Sequence, residues 1–148
     1  MIECIFKHIL IPTDGSDASV HAAELAFRLA RMCNSRVTVV YVVDVVALVN
    51  LVRFSEREQA DVRGEMRESG WRYLDYLEDL ARQYNVTVEK RLLEGEPYKE
   101  IVDLAAKEGV DLIVIGHVGQ RGPRRILIGS VTERVLEFAH CPVLVVKT

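Results

Sequence analysis

The sequence predicts an α/β fold: a parallel sheet of five strands with helices on both faces. Two observations carry this. Short, continuously apolar runs rich in Val and Ile alternate with longer stretches whose polar residues recur every three or four positions. Each helical stretch is also long enough to return the chain to the start of the next strand, as a parallel pairing needs.

Ile9-Leu10-Ile11, ending at Pro12, reads as a buried first strand. From Ser16 to Cys33 the polar residues His21, Glu24, Arg28 and Arg31 leave Ala, Leu, Phe, Val and Met between them, the pattern of an amphipathic helix with a broad buried face. Val37 to Val43 is β-branched and nearly all apolar, a second interior strand. Val45 to Val52 is apolar except for Asn50 and is expected as a connecting loop, too short to cross a bilayer. Ser55-Glu56-Arg57-Glu58 has the form of a capping box and is expected to open a long helix. The first half of that helix is charged nearly all round and expected exposed. Its second half carries the stripe Leu74, Leu77, Ala81 and Tyr84. Trp71, Tyr73 and Tyr76 are expected to serve core or interface.

Val86, Val88 and Leu92 alternate with Thr87, Glu89 and Arg91, which suits a strand with one wetter face at a sheet edge. Pro97 fits a first helical turn, Ile101, Leu104 and Ala105 an apolar face, and Gly109 a stop. Leu112 to Ile115 is the most buried-looking strand. A helix from Ser130 to about Ala139 follows a Gly-rich stretch, and Val143 to Val146 is the last strand. The pattern is β-α-β-α-β-α-β-α-β.

The 148 residues suit one domain spanning 1–148, without linker, repeat or low-complexity tract. Hydrophobic residues at 49% supply enough apolar surface for a core, which excludes intrinsic disorder. Lys and Arg number 19 against 22 Asp and Glu, a net charge of −3, so the basic footprint of a nucleic-acid binder is absent. No apolar run approaches the ~18 residues of a membrane span. The amino-terminal residues carry an early acid and no long apolar region, so a cytoplasmic protein without secretory signal is expected. Cys4, Cys33 and Cys141 are odd in number and widely spaced, and reduced thiols are expected.

In open α/β sheets ligands gather beyond the carboxyl ends of the strands, where strand order reverses. There the chain places Pro12-Thr13-Asp14-Gly15-Ser16, then Val42-Val43-Asp44, then Gly116-His117-Val118-Gly119 running on to Gly129-Ser130. Glycines let backbone N–H groups approach an anion, and a helix starting at Ser130 would add its amino terminus. Ser130 and Glu133 form a capping pattern, although Glu133 opposes an anion in that turn. Arg121, Arg124 and Arg125 lie between the glycines as counter-charge. Asp14 with Asp17 reads as a metal or acid/base pair or, more simply, as caps of the helix after strand one. His8, His21, His117 and His140 have no metal-ligand spacing, and only His117 lies in the proposed site. A Walker P-loop, a Gly-x-Gly-x-x-Gly fingerprint and a Gly-x-Ser-x-Gly elbow are all absent.

The motif Gly116-x2-Gly119-x9-Gly129-Ser130 resembles the ATP-binding signature of the universal stress protein family. So do the opening Ile9 to Ser16, the segment Asp111 to Gly116, and Gly129 to Val135 with Cys141 to Val146. The resemblance implies a Rossmann-like sheet in the order 3-2-1-4-5, which would set Asp14 across from Gly116. It implies Asp14 at the adenosine, beside Pro12 and Thr13, and Val42 at the adenine. Ile115, Gly116, Gly119, Arg121, Gly129, Ser130, Val131 and Thr132 would surround the ribose and phosphates. His117-Val118 departs from the family, which commonly has a small hydroxyl residue and then His. The expected ligand is ATP or another adenine nucleotide with Mg²⁺, held as a stress-response sensor rather than turned over. The alternatives are a slow ATP hydrolase or other phosphohydrolase on the same cleft, and an interaction module without nucleotide. The apolar last strand, an outer edge in that order, is expected to pair with a second copy as a homodimer. Otherwise the segment Val45 to Val52 covers it.

Overall fold

The computed structural model describes residues 3–119 and 128–148. In chain order the elements are β1 (His8–Pro12), α1 (Asp17–Cys33), β2 (Arg36–Asp44), α2 (Val45–Arg53), α3 (Gln59–Gln83), β3 (Val88–Gly95), α4 (Pro97–Lys107), β4 (Leu112–Gly116), α5 (Ser130–Phe138) and β5 (Val143–Val146). The five strands form one sheet in the order β3-β2-β1-β4-β5, and the pairings are all parallel. The order reverses between β1 and β4, so the ends of these two strands stand side by side.

The period of two along each strand divides the core into two layers. Ile9, Ile11, Val37, Val39, Leu112 and Val114 face α1 and α3, where Ala22, Ala26, Phe27, Leu74, Leu77 and Ala81 close over them. Leu10, Val40, Ile113 and Ile115 face α4 and α5, meeting Ile101, Leu104, Ala105 and Val135. The alanines of α1 let it lie close on the sheet. Among the described residues no helix is long and apolar enough to cross a membrane.

Several expectations change. Val45 to Val52 is not a loop but α2, because Asp44 caps it: its Oδ1 accepts from the N–H groups of Val46 (3.0 Å) and Ala47 (3.1 Å). Ser55 does not cap α3. The helix begins later, with Glu58 in the cap position, and the Ser55 hydroxyl accepts from the Arg57 N–H instead. Of the aromatic residues expected in core or interface, Trp71 and Tyr76 are outside the core, exposed on α3 off the stripe of Leu74 and Leu77, and the interface part of that expectation stands as it was. His8 is buried on a sheet face, its Nε2 2.8 Å from the Thr38 hydroxyl.

The cysteines differ as well. Cys4 and Cys33 form a disulfide, and Cys141 is the free thiol. In a β-α unit the helix runs back against its strand, so the end of α1 returns to the segment that enters β1. That return brings together two cysteines that the sequence holds 29 positions apart.

Candidate nucleotide cleft

Beyond β1 the turn is built by side chains acting on the backbone. The Thr13 hydroxyl accepts from the Gly15 N–H (3.1 Å) and lies 3.0 Å from the Ser19 hydroxyl. Asp14 Oδ1 accepts from the Ser16 N–H at 2.9 Å, and Ser16 caps α1 through the Ser19 N–H. Gly15 has φ of 83°, and a side chain there would overlap the ring of Tyr73. Capping therefore falls to Ser16, while Asp14 organises the turn and Asp17 stands in the first helical turn.

Beyond β4 the chain folds back on itself. The Gly129 N–H donates to the His117 carbonyl at 2.6 Å, and the Thr132 hydroxyl donates to the Gly116 carbonyl at 2.7 Å. These bonds lash the start of α5 to the end of β4. The cap position of α5 is Gly129 rather than Ser130, because the Glu133 N–H already bonds the Gly129 carbonyl. Ser130 is thus the first helical residue, exposed, with no capping bond from its side chain. The N–H groups of Ser130, Val131 and Thr132 belong to that first turn, where the helix itself supplies no acceptors.

The two strand exits meet. Gly119 lies against Asp14 so closely that a side chain at Gly119 would overlap the Asp14 carboxylate. One cavity of about 730 Å³ spans the junction, lined by Pro12, Thr13, Asp14, Val42, Ile115, Gly116, Gly119, Gly129, Ser130, Val131 and Thr132. Arg121, with Arg124 and Arg125, lies outside the described residues. His117 does not line the cavity, unlike its two neighbours Gly116 and Val118.

The cavity also has walls that sequence reasoning missed. α2 contributes Ala47 and Leu51, and α3 contributes Val62, Glu65, Met66, Ser69 and Tyr73. α4 adds Pro97 and Ile101. Asp44 ahead of an apolar run was the available signal for α2. Between α2 and α3, Arg57 forms a fork-to-fork ion pair with Glu65, with Nη1 2.8 Å from Oε2. The hydrogen bond from Arg57 holds the Glu65 carboxyl below the usual carboxylate range, so the pair is ionised.

Three known proteins resemble this chain, one by sequence and two by structure. Universal stress protein MJ0531 of Methanocaldococcus jannaschii is 43% identical over 145 residues, covering 98% of this chain and 84% of that protein. A universal stress protein from Archaeoglobus fulgidus in complex with dAMP superposes with a TM-score of 0.68 at 26% identity, covering 96% of this chain and 98% of the other. Another universal stress protein, in complex with cAMP, gives a TM-score of 0.71 at 25% identity, over 97% and 98% of the two chains. A sequence model described as the universal stress protein family matches residues 5–147. With the sheet order and the two strand exits joined in one cleft, that match settles the kinship: the chain belongs to the universal stress protein family.

Proposed function

We propose that this protein binds an adenine nucleotide, ATP accompanied by Mg²⁺, across the ends of β1, β2 and β4, and acts as a cytoplasmic stress-response sensor. The observation that carries this is the union of Asp14 with the Gly116–Gly119 and Gly129–Thr132 segments in one cavity. The first-turn N–H groups of α5 suit an anion, and Val42 at the end of β2 offers backbone beside an apolar slot for a base. Two proteins of the same family and fold are complexes with dAMP and cAMP, which supports an adenine ligand. Among the described residues no group of three or more His, Cys, Asp or Glu is placed to hold a metal. A Mg²⁺ ion would therefore enter on the phosphates, with Asp14 the carboxylate at the junction. β5 completes the reading as the pairing edge of a homodimer.

The test is direct. Denaturing the purified protein should release an adenine nucleotide, and titration calorimetry should show ATP binding well below millimolar. Gly119→Val should abolish that binding while circular dichroism and thermal melting stay near wild type, because a Cβ there meets the Asp14 Oδ2 side of the carboxylate and no backbone. Absence of binding at millimolar ATP defeats the assignment, and full binding by the variant defeats the placement.

A further inference from the structure

The wall supplied by the α2–α3 pair has an electrostatic property that the glycine-lined end lacks. Arg57 is the one cation among the described lining side chains, while Asp14, Asp44 and Glu65 bring carboxylates to the same cavity. Asp44 is engaged by the N–H groups that begin α2. Arg57 is itself taken by Glu65. As it stands, this wall repels an anion.

Exchange of partners removes the conflict. The side chains of Arg57 and Glu65 are 49% and 60% exposed, and an ion pair so open to water contributes little and opens easily. A phosphate group presents its oxygens to the planar guanidinium fork as well as a carboxylate does. Resting on the nucleotide reading above, we propose that Arg57 is a phosphate-binding residue of this cavity and that Glu65 is its internal competitor. A phosphorylated ligand takes the guanidinium from Glu65 and ties the α2–α3 connection to the cleft. An unphosphorylated nucleoside leaves the pair intact.

Calorimetric titration of the full chain with ATP and with adenosine tests this in wild type, Arg57→Ala, Glu65→Gln and the double variant. Arg57→Ala should weaken ATP about tenfold or more and leave adenosine within about twofold. Glu65→Gln should tighten ATP, and that gain should vanish in the Arg57→Ala background, because it acts through the freed guanidinium. A gain that persists without Arg57 means only the loss of a nearby negative charge and overturns the proposal. So does wild-type ATP affinity in Arg57→Ala, which would leave the nucleotide reading standing. A wild-type chain that binds neither ligand overturns both. Thermal melts establish that each variant is folded.

Discussion

Gly116, Gly119 and Gly129 line one cavity for different physical reasons. A side chain on Gly116 would place its Cβ 2.9 Å from the backbone carbonyl of Ala18, so α1 would have to withdraw from β4. On Gly129 it would come within 3.3 Å of the Val118 Cα and crowd the return of the chain. Of the three, only Gly119 would meet a side chain and no backbone, which makes it the clean probe of the ligand. The Cys4–Cys33 disulfide is a second single-residue matter. It closes a loop across β1 and α1, and reducing it should lower stability by about 2–4 kcal/mol. The entry to β1 keeps other ties: the Lys7 N–H donates to Asp111 Oδ2 at 2.9 Å and the Ser35 hydroxyl to the Phe6 carbonyl at 2.6 Å. The reduced protein should therefore remain folded. Thermal melts with and without reductant check this, and Cys4→Ser should melt like the reduced wild type. A melt indifferent to reductant would show that the bridge adds nothing. The glycines of the cleft were legible because their spacing is a local pattern. The disulfide was not, because it depends on where α1 ends relative to β1. Arg57 was equally hidden, since nothing along the chain says that the α2–α3 connection folds over the strand ends.

At the scale of the element, the two edges of the sheet are treated differently. Among the described residues β3 pairs only with β2, and it presents Glu89, Lys90, Arg91 and Glu94, each in an ion pair. Arg63 and Arg67 of α3 clamp Glu94, and Lys90 reaches Asp75 and Glu78 of the same helix. Charge on an exposed edge discourages pairing with another chain. The Glu89 carboxyl is pushed down to about 2, first by its hydrogen bonds from Arg36, whose Nε lies 2.6 Å away. A depressed carboxylate binds fewer protons in the folded state, so its contribution is full above about pH 4.5 and is lost as pH falls towards about 2. Because the Glu89 side chain is 39% open to water, Glu89→Gln should lose at most about 1 kcal/mol near pH 6. The gap between wild type and variant in denaturant unfolding should close by about pH 2. A gap that does not change with pH would remove Glu89 as the titrating group. The wet edge strand was readable from the alternation of Val88 and Leu92 with Glu89 and Arg91. α2 was harder to read, because Val45 to Val52 holds Asn50 as its one polar residue, and its signal was Asp44 standing ahead of the run. Five of its neighbouring side chains stand exposed, Val45, Val46, Val49, Leu51 and Phe54, so the helix is held by its cap and by Ala47 and Leu48.

For the whole molecule, the opposite edge decides the proposed assembly. Among the described residues β5 pairs only with β4, and its residues Val143, Leu144, Val145 and Val146 carry no charge between Pro142 and Lys147. Leu144 is exposed, as are Leu136 and Phe138 on the adjoining α5. The segment Val45 to Val52 does not cover this edge, since α2 packs on β2, β3 and α3, towards the other side of the sheet. A second copy related by a two-fold axis would pair the two β5 strands antiparallel and satisfy both free rows of backbone groups in one isologous contact. Leu144 is the proper handle for testing it. Val145 packs against the Ile113 and Ile115 layer, so changing it would disturb the core as well. Leu144→Lys brings two like charges together across the axis and should leave each subunit folded. Light scattering at tens of micromolar should give wild type at twice the chain mass and Leu144→Lys at once the chain mass, with matching thermal melts apart from the loss of the partner. A wild-type protein that runs as a monomer at that concentration defeats the dimer, and a Leu144→Lys variant that stays dimeric moves the interface away from β5.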